Sequence, residues 1–268
     1  MQNDYLNDIL NKSLIPEPYE RKTEPKFYIS DSGKCLRMRY LKRLGVKSET
    51  DPENIQWNWN LVMGNLIHAH IYQILTNQGI LINNEGTVEN EHFKGHFDAI
   101  VKGPKDTKIL VDVKSANPYK IKYLEKGEPD EFTQKQILNY WLMLEEDGME
   151  DIEKAQGLYV NKLPNEKSTK TVFYTRDFYL TEAMRKEILK ERELLIQHWE
   201  RKEIPNPTPQ PGWMKNWNSF EPFNHVKADE IQKWLDICAS SDKKLITSNK
   251  RLYLLDSDGK KTIIMKKS

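Results

Sequence analysis

Apolar side chains recur along this chain at two spacings, and the switch between them outlines the elements. Over residues 57–78 the apolar positions Leu61, Ile67, Ile71 and Leu75 fall near one helical face, and Gly79 closes the run. The period then shortens. Residues 86–93, 95–102 and 107–114 are rich in β-branched and apolar side chains and read as three strands. The turn Gly103-Pro104-Lys105-Asp106 separates the last two. Pro129-Asp130 opens another helix, which runs through Gln136 and Tyr140 to Glu146 and is closed by Gly148. Residues 155–162 and 169–178 read as two more strands joined by a turn at Pro164-Asn165. Thr181 caps a long, charged helix that ends near Lys202.

The flanks are patterned differently. Residues 1–27 are polar, carry Pro16, Pro18 and Pro25, and read as a loosely ordered lead-in. Ser30-Asp31-Ser32 offers N-caps for a basic helix reaching Leu44, with Gly45 as its C-cap. After the long helix, Pro205, Pro207, Pro209, Pro211 and Pro222 exclude regular helix and central strand. They predict an extended arm anchored by Trp213 and Trp217. A short helix over 228–238 and a hairpin of 251–256 with 262–266 around Asp258-Gly259 end the chain. The order helix, helix, three strands, helix, two strands, helix predicts an α/β fold with a central mixed sheet flanked by helices. The expected division is a lead-in (1–27), a core (28–203), and a C-terminal arm with short helix and hairpin (204–268).

Composition narrows the class. The net charge is +1, so any nucleic-acid surface must be local rather than global. Charged residues make up 30% of the chain, and no apolar run approaches the roughly 20 residues of a membrane span. The first residues carry neither a basic nor an apolar leader segment. The expected location is the cytoplasm, with no membrane partner. Cys35 and Cys238 are far apart and form no CxxC pair, which argues against a zinc site or a disulfide framework.

The chemistry concentrates in two of the strands. Asp98 lies in Gly95-His96-Phe97-Asp98-Ala99-Ile100-Val101, and Asp112 and Lys114 lie in Ile109-Leu110-Val111-Asp112-Val113-Lys114. Charged groups in such apolar runs are costly unless they are paired or bind a cation. Two carboxylates side by side on a hairpin repel each other unless a cation bridges them. Hard cations such as Mg²⁺ or Mn²⁺ favour these oxygens, and the Val113 carbonyl offers a third. Lys114, two residues beyond Asp112, leaves the strand on the same face and can orient a water and stabilise charge on a phosphate. His68 in Gly64-Asn65-Leu66-Ile67-His68 can add an imidazole ligand. Gln136 and Tyr140, four residues apart, share a helix face able to hydrogen-bond a phosphate or base. Lys34, Arg37 and Arg39 on the basic helix can follow a phosphate backbone. The plain alternative for each is structural: an edge-strand ion pair, a surface histidine, a polar stripe, a solvated charged face.

Gly64-x-x-His68, Gly95-x-x-Asp98, Asp112-x-Lys114 and Gln136-x-x-x-Tyr140 occur in the order of the PD-(D/E)XK nucleases, and resemble their RecB-like exonuclease branch. That branch includes the CRISPR-associated adaptation exonucleases. The likeness spans residues 28 to 203, and Ser-x-x-Cys35-x-Arg37 resembles the family's opening helix. It implies a restriction-endonuclease-like α/β/α core. It implies that His68, Asp98, Asp112 and Val113 hold Mg²⁺ or Mn²⁺, and that Lys114 positions the water. Gln136 and Tyr140 would then contact nucleic acid near the cleaved bond. Many relatives hold an iron–sulfur cluster with four cysteines; here Cys35 and Cys238 cannot supply four thiolates, so no cluster is expected. Cys35 is instead expected as a small core residue. The expected function is a metal-dependent nuclease acting on DNA, an exonuclease on single strands or duplex ends. The alternatives are a catalytically silent nucleic-acid-binding or assembly subunit that keeps the fold, and a metal-dependent hydrolase of another phosphoester. A protein partner or a homo-oligomer fits any of the three.

Overall fold

The computed structural model describes residues 13–14, 25–49, 55–149, 151–164, 169–209 and 219–265. Trp213, Trp217 and most of the expected lead-in lie outside the described residues. In chain order the elements are β1 (Phe27–Tyr28), α1 (Leu36–Arg43), β2 (Lys47–Glu49), α2 (Ile55–Asn77), β3 (Leu81–Glu89), β4 (Phe93–Lys102), β5 (Lys108–Ala116), α3 (Pro118–Glu125), α4 (Glu131–Glu146), β6 (Ile152–Asn161), β7 (Phe173–Phe178), α5 (Glu182–Glu200), α6 (Ala228–Ala239), β8 (Lys244–Ser248), β9 (Arg251–Leu255) and β10 (Lys261–Met265). Short 3₁₀ turns precede α1 at Ile29–Asp31 and α6 at Glu221–His225. The contacts group the chain into two units. One holds Tyr28–Gly33 and Ile55–Lys190; the other holds Lys34–Asn54 and Glu191–Ser268 together with Pro18–Phe27. The grouping therefore differs from the expected boundaries: residues 34–54 and 191–203 associate with the C-terminal segment.

The first unit is the mixed sheet with its helices. β3 pairs with β4 and β4 with β5 in antiparallel fashion, β5 runs parallel to β6, and β6 is antiparallel to β7. Side chains alternate across this sheet. Ala99, Val101, Ile109, Val111 and Val113 face α2, which packs on them through Ile67, Ile71, Tyr72 and Leu75. Leu61, expected on that helix face, is exposed instead. The alternate positions Ile100, Leu110 and Asp112 are also buried, on the face that α3 and α4 cover. α4 buries Ile137, Leu138, Tyr140, Trp141, Leu142, Met143 and Leu144. α3 buries Ile121 and Leu124 against Ala116 and Tyr159. A mixed sheet between helices is thus the observed architecture.

The second unit has a four-stranded sheet in the order β10-β9-β8-β2, with β2 parallel to β8. Its core gathers Met38, Tyr40 and Leu41 of α1, Phe220, Phe223, Ile231 of α6, and Leu245, Leu252 and Leu254. Cys35 is fully buried there, as a small core residue. The two arginines expected on nucleic acid are turned inward. Arg37 is 2% exposed. Its guanidinium donates to the carbonyls of Pro205 (2.7 Å), Phe223 (2.8 Å) and Val226 (2.7 Å). Arg39 is equally buried and pairs with Glu191. A guanidinium already committed to buried carbonyls or to a carboxylate cannot also follow a phosphate backbone, so both assignments are corrected to structural roles. Lys34 is half-buried in the same unit.

Candidate active site

The β4–β5 ladder sets the site. Its last matched positions are Ala99 and Val111, so Asp98 and Asp112 come level one step further, where the ladder stops. There the Val113 N–H donates to Asp98 Oδ2 at 2.7 Å, and a side chain takes the place of a strand carbonyl. Asp112 is 2% exposed. Lys114 leaves β5 on the same face, with Nζ 3.0 Å from Asp112 Oδ1 and 2.8 Å from Oδ2. Gln136 Oε1 on α4 accepts from the same ammonium at 3.3 Å. Pairing is what makes a carboxylate tolerable at this depth. His68 reaches in from α2, with Nδ1 3.2 Å from the Tyr72 hydroxyl and 3.9 Å from Asp98 Oδ1.

The electrostatics show one crowded negative site. Burial, and then the charge of Asp112, push the Asp98 carboxyl up to about 7. Burial by itself lowers Lys114, but Asp112 and Asp98 outweigh it, and its ammonium is held above the usual value. Burial and the nearby Lys114 charge lower His68, favouring the neutral imidazole that a metal ligand needs. Tyr72 is raised by burial and by Asp98.

His68, Asp98, Asp112, Val113, Lys114 and Gln136 are therefore neighbours. Tyr140 is adjacent but 2% exposed, with its hydroxyl bonded to the Gln136 side chain and the His96 backbone. Its ring passes over Gly95, where an added Cβ would stand 2.4 Å from Tyr140 Cε1. At 2% exposure Tyr140 offers almost no surface to a nucleic acid, which departs from the expected contact. Among the described residues, no three His, Cys, Asp or Glu side chains gather into a group that could hold a metal ion. The donor chemistry still fits a hard divalent cation. Asp112 is buried with the Lys114 ammonium as its ionic partner, and Asp98 resists ionisation beside it. A cation between the two carboxylates would offset their repulsion.

Sequence reasoning missed two groups. Glu85 on β3 is level with Asp98, between Asn84 opposite Ala99 and Gly86 opposite Phe97, and its φ is 51°. A glutamate in left-handed backbone is uncommon, and its charge acts on both Asp98 and His68. The only signal was Asn83-Asn84-Glu85-Gly86, which reads as a turn. The second is Asp130, which accepts from Tyr159 Oη (2.8 Å) and Thr133 Oγ1 (3.0 Å) and pairs with Lys120 Nζ (2.9 Å). In the sequence it marks only a helix start.

No protein-family profile matches the chain, and no curated protein matches it either. Several solved structures resemble it. The crystal structure of SSO0001 is 18% identical, with a TM-score of 0.41, over 72% of this chain and 85% of that one. An alkaline exonuclease, LHK-Exo from Laribacter hongkongensis, is 14% identical, with a TM-score of 0.48, over 67% of this chain and 90% of that one. A phage-related exonuclease from Haemophilus somnus 129PT is 16% identical, with a TM-score of 0.34, over 52% of this chain and 69% of that one. Identities and scores in this range transfer neither substrate nor activity.

Proposed function

We propose that the first unit is a divalent-metal-dependent nuclease that hydrolyses DNA phosphodiester bonds, as an exonuclease on single strands or duplex ends. One observation carries the reading: a buried carboxylate, Asp112, is clamped by Lys114 where β4 and β5 part, with a second carboxylate level with it. His68, Asp98, Asp112 and the Val113 carbonyl would hold Mg²⁺ or Mn²⁺, which would polarise the phosphate and acidify water. Lys114 keeps its proton and offers a fixed positive charge to an attacking water and to the charge growing on phosphate. Gln136 orients that ammonium, and Tyr140 fixes Gln136 from behind. The nucleophile is water, with inversion at phosphorus and no covalent intermediate.

The test uses labelled linear and circular single- and double-stranded substrates, with and without Mg²⁺ or Mn²⁺. Cleavage should need the metal and favour free ends. Asp112→Ala and Lys114→Ala should each abolish it while the circular-dichroism spectrum stays that of wild type. Degradation at the wild-type rate by Asp112→Ala in Mn²⁺ would sink the assignment.

A further inference from the structure

α3 has its aromatic side chains on the wrong side for a core helix. Its inner face is ordinary: Pro118, Ile121 and Leu124 are buried. Its outer face is Tyr119, Lys122 and Tyr123, continued by Lys126 at the C-cap, at spacings of three and four that align on one side. Tyr119 is 81% exposed and Tyr123 43%. Both lysines are exposed as well.

This helix starts four residues after Lys114, with Asn117 as its N-cap accepting from the Lys120 N–H at 2.8 Å. It lies on the face of the sheet that carries Asp112 and Lys114. Tyr159, level with Lys114 on the neighbouring strand, packs under α3 and donates to Asp130. Asp130 in turn anchors Lys120, whose Nζ sits 5.6 Å from the centre of the Tyr123 ring. α3 is therefore tied, through Lys120, Asp130 and Tyr159, to the sheet face that carries Asp112 and Lys114.

We propose that this face binds an unpaired stretch of nucleic acid, with two bases stacked on Tyr119 and Tyr123 and Lys122 and Lys126 on the backbone phosphates. The inference rests on the nuclease reading and gives it a substrate form: a single strand led over α3. Aromatic rings accept any base by its flat face, and the lysines supply the matching charge. A protein partner or a second copy of the chain would need an apolar surface more continuous than two rings set among ammonium groups.

Anisotropy of a fluorescein-labelled oligo-dT strand, with EDTA present throughout, tests this without turnover. Tyr119→Ala/Tyr123→Ala should weaken single-strand binding about 30-fold or more, from about 1 kcal/mol or more per stacked base. Tyr119→Phe/Tyr123→Phe, which keeps both rings, should retain the affinity. Lys122→Ala/Lys126→Ala should reduce the slope of log affinity against log salt by about 1.4. Unchanged single-strand affinity in the double alanine variant overturns the inference, and so does self-association lost by that variant while strand binding persists. Ring-dependent binding by a wild-type protein that never cleaves leaves this inference standing and removes the nuclease reading. Cleavage that is indifferent to both tyrosines does the reverse.

Discussion

Asp112 and Lys114 were legible because charge inside an apolar run is an anomaly that a sequence displays directly. The same logic misled at Arg37 and Arg39. Nothing in Lys34-Cys35-Leu36-Arg37-Met38-Arg39 indicates that three carbonyls from residues about 170 to 190 positions later converge on one guanidinium. Burial of a cation depends on its distant acceptors, and those are fixed only when the second unit folds. Arg37→Met should therefore destabilise the protein by about 3 kcal/mol or more, since it leaves buried carbonyls without a donor. Urea denaturation followed by tryptophan fluorescence reads this as a lower midpoint. A midpoint within error of wild type would mean that the carbonyls find water instead.

At the scale of elements, the β4–β5 hairpin and the helices α2, α4, α5 and α6 fall close to their expected bounds, because each has a clear period and most have a Gly or Pro stop. α3 and β8 lie outside the expected elements. β8 is five residues long, too short for its period to stand out. α3 is eight residues, and its tyrosines on the solvent side blur the amphipathic pattern, though Asn117-Pro118 was a readable start. Asp130 makes α3 sensitive to acid. Burial alone would raise its carboxyl, but the bonds from Lys120, Tyr159 and Thr133 outweigh that and hold it below the usual value. A carboxyl depressed by folding adds stability above the unfolded carboxylate range, and that stability is lost as pH falls through the folded value. Asp130→Asn should thus be less stable than wild type at neutral pH, and the gap should narrow below about pH 4. Thermal melts from pH 7 to pH 3 check it; a gap that widens in acid refutes it.

At the scale of the molecule, the pairing of Lys34–Asn54 with Glu191–Ser268 was invisible in the sequence, because it depends on contacts between segments separated by most of the chain. If the two level carboxylates hold a divalent cation, as proposed, the stability of that unit responds to it. Mn²⁺ at 100 times its dissociation constant should stabilise the wild type by about 2.7 kcal/mol, read as a higher Tm. Asp112→Ala should abolish the rise. No shift in the wild type with Mn²⁺ or Mg²⁺ would remove the metal from the account. The position where the β4–β5 ladder ends also decides which inactive form is worth making. Asp98 is both a candidate ligand and the acceptor that closes the hairpin at Val113. Its removal by Asp98→Ala strands an amide at a cost of about 1–3 kcal/mol and confounds lost chemistry with a loosened scaffold. A dead enzyme meant to trap a strand for crystallography is better made as Asp112→Asn, which keeps the shape of the side chain and leaves the hairpin clasp untouched.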